Sequence, residues 1–140
     1  NAEDRGTDVK DTLANIRDTK DFVINVVTMP LANAMHESSM PYLPGEDEFE
    51  KAGLTPIKAT KTKSPLLKES PINMECTLEQ IIPLGRDHLV LGRLVCYHVQ
   101  DELYLDGKID VKKLDVVGRL AGNYAKVNDF FELPLKNNNS

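Results

Sequence analysis

The sequence has no tryptophan, only two cysteines and no excess of positive charge, with 17 lysine and arginine residues against 22 aspartate and glutamate, a formal net charge of -5 over 140 residues. Each shortage removes a class of protein. Cys76 and Cys96 are too few for a disulfide-stapled scaffold and lack the close spacing of a cysteine-framed zinc module. A net acidic chain is a poor generic nucleic-acid ligand, because such binding neutralises phosphates with lysine and arginine. No segment approaches the roughly 20 apolar residues that span a bilayer. The opening NAEDRGTDVK also lacks the charged, apolar and small-residue phases of a secretory signal. No nucleic acid, no membrane and a reducing cytoplasm are the expectations. A chain of this length buries roughly two thirds of its unfolded surface, so one ordinary core suffices.

Local catalytic signatures are missing too. There is no Walker loop, no dinucleotide GxGxxG and no nucleophile elbow around Ser38, Ser39, Ser64, Ser70 or Ser140. His36, His88 and His98 lack metal-ligand spacing, so neither a metal centre nor a catalytic histidine is expected. Cys76 and Cys96 each sit in an apolar strand pattern and read as packing residues.

What is present organises itself from the N-terminus. Asp11 is a candidate cap for a helix carrying TLANIRDT, with Val9, Leu13 and Ile16 on one side. FVINVV reads as a buried strand from its β-branched density, and MPLANAMHESS as a helix opening near Pro30. PYLPGEDEFE predicts a loop, and EFEKAG a short helix stopped by Gly53. The following stretch to Lys68, with Pro56, Pro65 and Lys58, Lys61, Lys63 and Lys68, reads as a solvated excursion.

INMECTLEQII alternates, with Ile72, Met74, Cys76 and Leu78 facing a core and Asn73, Glu75, Thr77 and Glu79 opposite. The turn GRDH then leads into HLVLGRLVCYHV, predicting an antiparallel hairpin with Gly92 at a bend. Alternation puts Leu89, Leu91, Arg93, Val95 and Tyr97 on one side and Val90, Gly92, Leu94, Cys96 and His98 on the other. Neither side is purely polar, so both are expected to be protected. An Asp106 to Gly107 turn and a short helix from Asp110 follow. The expected fold is a small strand-rich α+β domain, a barrel or curved sheet with peripheral helices.

Two segments carry binding chemistry. Lys10, Asp11 and Thr12 at a helix opening combine a cation, a hydroxyl and first-turn N–H groups suited to phosphate, with Asp11 better placed to cap than to touch an anion. GRLAGNYAKVND places Arg119 and Tyr124 around Gly118, Gly122 and Asn123, which suits a loop facing an anionic or planar ligand. A turn or subunit contact stabilised by arginine and an aromatic ring is the competing reading.

The ordered set KDTLANI (10–16), DFVINVV (21–27), DEFEKAGLTP (47–56), ESPINMEC (69–76) and HLVLGRLV (88–95), continued by DGKID and GRLAGNY, resembles the flavin reductase-like, FMN-binding split-barrel family. The resemblance implies a mainly β split barrel with peripheral α-helices, forming a homodimer with FMN near the subunit boundary. It implies phosphate contacts for Lys10 and Thr12, a capping or orienting role for Asp11, and ligand contacts for Arg119 and Tyr124. The implied activity is an FMN-dependent, NAD(P)H:flavin reductase-like oxidoreductase, with NADH or NADPH as donor and a small-molecule acceptor. An FMN carrier or redox sensor, or an interaction domain without flavin, are the alternatives. Residues 1–135 would be the C-terminal portion of a single such domain and 136–140 a polar tail, since family members carry barrel strands ahead of KDT. A preceding segment or a companion chain would then complete the barrel.

Overall fold

A computed structural model describes residues 6–38 and 48–135. Helix α1 spans Gly6–Thr19 and leads into strand β1, Asp21–Asn25. The helix therefore starts upstream of the expected opening at Asp11, which corrects the capping role for that residue. No proline lies between Gly6 and Asp11 to stop the helix extending N-terminally. Lys20, at φ 61, ends the helix, and its N–H donates to the Ile16 carbonyl at 2.8 Å.

A 3-10 turn at Met29–Leu31, opened by Pro30, runs into α2 at Ala32–Ser38. After α3 (Glu48–Lys51), Gly53 takes φ 73, which suits the glycine stop read from the sequence. The expected loop over residues 41–47 and the tail 136–140 lie outside the described residues, as do the side chains of Lys10 and Asp11.

Short strands β2 (Pro56–Ile57) and β3 (Leu66–Leu67) pair with each other across the lysine-rich excursion. The long strands β4 (Ile72–Leu84) and β5 (Asp87–Val99) form the expected antiparallel hairpin. They build a three-stranded sheet in the order β1-β4-β5. A tight hairpin follows, β6 (Tyr104–Leu105) and β7 (Lys108–Ile109), with Asp106 at φ 51 and Gly107 at φ 78 as the two-residue loop requires. Asp110 then accepts a hydrogen bond from the Lys112 N–H and caps a 3-10 turn, Val111–Lys113. The last hairpin pairs β8 (Val116–Arg119) with β9 (Tyr124–Val127) and attaches beyond β1 through the Val117 N–H to the Val27 carbonyl at 3.0 Å. Ile72, Leu103 and Leu114 form a buried core cluster, with Val26, Met74, Val99, Ile109 and Val116 packed around them. Among the described residues no helix is long and apolar enough to cross a membrane.

Three details of the sheet differ from the sequence expectation. Pairing passes from Glu75↔Cys96 to Cys76↔Leu94, leaving Val95 as an extra residue. Strict alternation is broken there, so Leu94 and Tyr97 come to the same face. Protection of both faces of β5 is also not found, because Leu89, Leu94 and Tyr97 are 46%, 53% and 56% exposed. Among the described residues β5 is the end strand of its sheet, with no strand beyond it.

The third difference concerns the polar side of β4. Asn73 is buried and Glu75 is 0% exposed. The excursion between β2 and β3 lies across this face, so the solvated reading of that segment holds for its exposed lysine side chains and fails for its backbone.

Candidate functional site

The docked excursion is held by a row of acids and amides on the sheet. On β1, Asp21 accepts hydrogen bonds from the Lys63 N–H at 2.7 Å, the Ser64 N–H at 3.2 Å and the Ser64 hydroxyl at 2.7 Å. Asn25 Oδ1 accepts from the Leu67 N–H at 3.1 Å and from Asn73 Nδ2 at 2.7 Å. Glu75 takes the largest share. Its Oε1 accepts from the Lys61 N–H at 2.6 Å and the Thr62 N–H at 2.9 Å, while Oε2 accepts from the Thr60 N–H at 3.2 Å. An unpaired carboxylate at this depth would be prohibitively costly, and backbone donors supply what water would otherwise provide.

The second partner of Glu75 Oε2 is His98 Nε2, 2.5 Å away. The register makes this contact: Glu75 faces Cys96 directly, Asn73 faces His98, and His98 is the diagonal neighbour of Glu75. Cys96 Sγ lies 3.7 Å from the same imidazole nitrogen. Burial pushes the Glu75 carboxyl up, but the hydrogen bonds from His98, Lys61, Thr62 and Thr60 outweigh it and bring the pKa to about 2. Burial likewise pushes Asp21 up, and the hydrogen bonds from Ser64, Lys63 and Thr19 carry it below its ordinary value. Desolvation and then the neighbouring Glu75 carboxylate raise the Cys96 thiol, with a weaker opposing pull from Lys61. Both cysteines are free thiols.

Local spacing gives no hint of this cluster, since its members come from two strands and Glu75 falls on the side of β4 opposite its core-facing residues. The one usable signal was the clustering of threonine and serine in the excursion opposite a strand face carrying Asn73 and Glu75.

Of the residues expected from sequence, Arg119 and Tyr124 are brought together. They are directly paired across β8 and β9, with the Arg119 guanidinium 4.5 Å from the Tyr124 ring centroid. The competing reading, a turn stabilised by arginine and an aromatic ring, thus describes this contact. Tyr124 is also part of a wall. A cleft of about 410 Å³ opens between α2 with its preceding 3-10 turn and the β8–β9 hairpin, lined by the apolar Met29, Met35 and Val117 and by His36, Tyr124 and Lys126. Lys10, Asp11 and Thr12 lie inside α1, where Thr12 is exposed. Backbone N–H groups in a helix interior are already bonded, so first-turn N–H groups drop out of the anion site read from a helix opening, and any such contact falls to the Lys10 and Thr12 side chains.

Residues 8–112 match the family model described as flavin reductase like domain. A protein of Halalkalibacterium halodurans is 40% identical over 131 residues, covering 89% of this chain and 63% of its own length. Among solved structures, nitrilotriacetate monooxygenase component B from Bacillus cereus superposes with a TM-score of 0.82 at 39% identity, covering 88% of this chain and 64% of that one. A Shewanella frigidimarina protein with a split barrel domain gives 0.81 at 29% identity, covering 91% and 67%. The chain therefore spans less than two thirds of the length of the first two. The strand-dominated architecture with peripheral helices is that of split-barrel proteins, and the chain belongs to the flavin reductase like domain family.

Proposed function

We propose that the protein is an FMN-dependent oxidoreductase of the NAD(P)H:flavin reductase type, in which NADH or NADPH reduces the flavin and a small-molecule acceptor reoxidises it. The observation that carries this reading is the cleft beside Tyr124 in a chain of this family. Its volume of about 410 Å³ falls within the range of small-ligand sites, roughly 300–1,000 Å³. Its walls suit a planar ring: Met29, Met35 and Val117 are apolar, Tyr124 is aromatic, and Lys126 and His36 offer polar contacts. The residues present thus fit a flavin. When bound, FMN supplies the hydride-accepting ring, and the protein supplies orientation and exclusion of water.

In this reading Tyr124 packs against the ring, and Arg119, stacked on Tyr124, fixes its orientation and adds positive charge beside it. Lys10 and Thr12 on α1 contact the phosphate, and Asp11 orients them. No protein nucleophile is required. A homodimer covers the exposed apolar side chains of β5 and completes the cofactor enclosure. The two free thiols fit a reducing cytoplasm.

The test is FMN titration of the purified protein, followed by anaerobic mixing with NADH and with NADPH. Stoichiometric binding and rapid bleaching of the flavin are expected. Tyr124→Leu and Lys10→Ala should each weaken FMN binding by roughly tenfold, equivalent to loss of about 1.4 kcal/mol. Tight binding with slow reduction would favour a carrier or redox sensor, and no binding at all would leave an interaction domain. Unchanged FMN affinity in both variants would refute the residue assignments.

A further inference from the structure

We propose that Glu75, Cys96 and His98 form a binding site for a thiophilic divalent cation of the zinc class, with a fourth position open to water. One ligand atom from each residue lies within 4.8 Å of the other two. A carboxylate oxygen, a thiolate and an imidazole nitrogen are the donor set that such an ion takes from proteins. In a tetrahedral site with ordinary bond lengths, sulfur and nitrogen ligands stand roughly 3.6 Å apart, and Cys96 Sγ and His98 Nε2 are 3.7 Å apart. The 2.5 Å between His98 Nε2 and Glu75 Oε2 is a hydrogen-bond distance. An ion replacing the shared proton widens it by about 0.8 Å. The His98 side chain, 33% exposed, has room to make that movement.

The surroundings resemble a metal site in two further respects. Ligating carboxylates are held by hydrogen bonds of their own, and Glu75 Oε1 is fixed by the Lys61 and Thr62 N–H groups, leaving Oε2 to face the thiol and the imidazole. Cys96 and His98 are only partly buried, which provides an entry path and a water position. The charges balance on binding. The cation displaces the Cys96 thiol proton to solvent and takes Nε2 of His98 in place of the proton shared with Glu75; that nitrogen gives its proton to solvent and the neutral ring carries one proton on Nδ1, so that one thiolate and one carboxylate neutralise two positive charges. Cys76 is excluded as a ligand, because the register sets it opposite Leu94 on the other face of the sheet.

The probe is cobalt(II), titrated into metal-stripped protein and then displaced with zinc(II). One equivalent of cobalt should produce a thiolate-to-cobalt charge-transfer band in the near ultraviolet, and one equivalent of zinc should abolish it. Cys96→Ala should remove the band and weaken zinc binding by more than about 100-fold, the upper end of what losing a mere supporting contact does. Cys76→Ala should leave both unchanged. His98→Gln retains a donor toward Glu75 while removing the imidazole, and should weaken binding similarly with the far-ultraviolet circular dichroism preserved. Absence of the band at stoichiometric cobalt, or its persistence in Cys96→Ala, overturns the proposal.

Discussion

Replacing Glu75 with glutamine tests whether this carboxylate fastens the excursion to the sheet. The variant keeps the side chain's size but removes its charge, and turns one acceptor into a donor facing the Thr60 N–H and His98. The difference between the ordinary carboxyl value of 4.5 and about 2 in the fold corresponds to about 3 kcal/mol favouring the native state. Glu75→Gln should therefore lose about 3 kcal/mol at neutral pH, the size expected when hydrogen bonds to a buried charged group are weakened. The pH dependence has a fixed sign. Because the folded value lies below the unfolded one, the unfolded chain takes up the proton first as pH falls. The stabilisation is complete above about 4.5 and is lost as pH drops toward about 2. Glutamine does not titrate, so the stability gap between wild type and variant must narrow through that window. Urea unfolding followed by circular dichroism at a series of pH values measures both quantities. A gap below about 1 kcal/mol at neutral pH, the size of one ordinary hydrogen bond, would refute the reasoning, and so would a gap that stays constant as pH falls below 4.5.

Asp21→Asn should destabilise the protein by about 1–3 kcal/mol, the cost of weakening charge-assisted hydrogen bonds, and hydrogen exchange should quicken at the Lys63 and Ser64 amides; unchanged exchange there would detach Asp21 from the excursion. Because the folded Asp21 value is depressed from 3.8, its contribution should likewise fade as pH falls through that value. Gly92→Ala should destabilise by about 1–3 kcal/mol, since a Cβ at that position would overlap the Phe22 ring and come within 3.0 Å of Cys76 Cβ. Phe22→Leu in the same chain should recover part of that loss in thermal melts, and no recovery would place the strain elsewhere. Arg93→Ala should leave the unfolding midpoint within error of wild type, because its ion pair with Glu79 at 2.9 Å is exposed on both sides.

Features written in short stretches of chain were legible. The β4–β5 hairpin, the Asp106–Gly107 turn, the Gly53 stop and the Asp110 cap each depend on a few adjacent residues whose backbone preferences agree with the fold. The start of α1 was not, because Asp11 is a good cap that also tolerates a helix interior once upstream residues extend the helix. The extra residue at Val95 was invisible for a different reason. A register shift is a property of the pair of strands, and neither strand's own pattern marks it. The mixed character of β5 was read as protection on both faces, yet apolar content states only what a strand would gain from being covered.

The polar side of β4 has the most functional consequence. Alternation distinguishes a polar face from an apolar one, but water and a polypeptide backbone satisfy polar side chains equally well. Glu75, together with Asp21 and Asn25 on β1, forms a row of acceptors whose donors are the N–H groups of Thr60 to Ser64 and Leu67, while Asn73 Nδ2 donates to Asn25 Oδ1 and to the Leu67 carbonyl. Lysines suit that excursion because their ammonium groups stay in water while the backbone turns inward, so charge complementarity between the basic segment and the acidic face is met by peptide dipoles. Once the excursion covers Glu75 on one side, the remaining open side of the carboxylate is bounded by Cys96 and His98. The strand register brings the three side chains together, and the docking of the excursion buries the acid among them. A separation of the excursion from the sheet would leave Glu75 as an ordinary hydrated carboxylate beside two unremarkable strand residues.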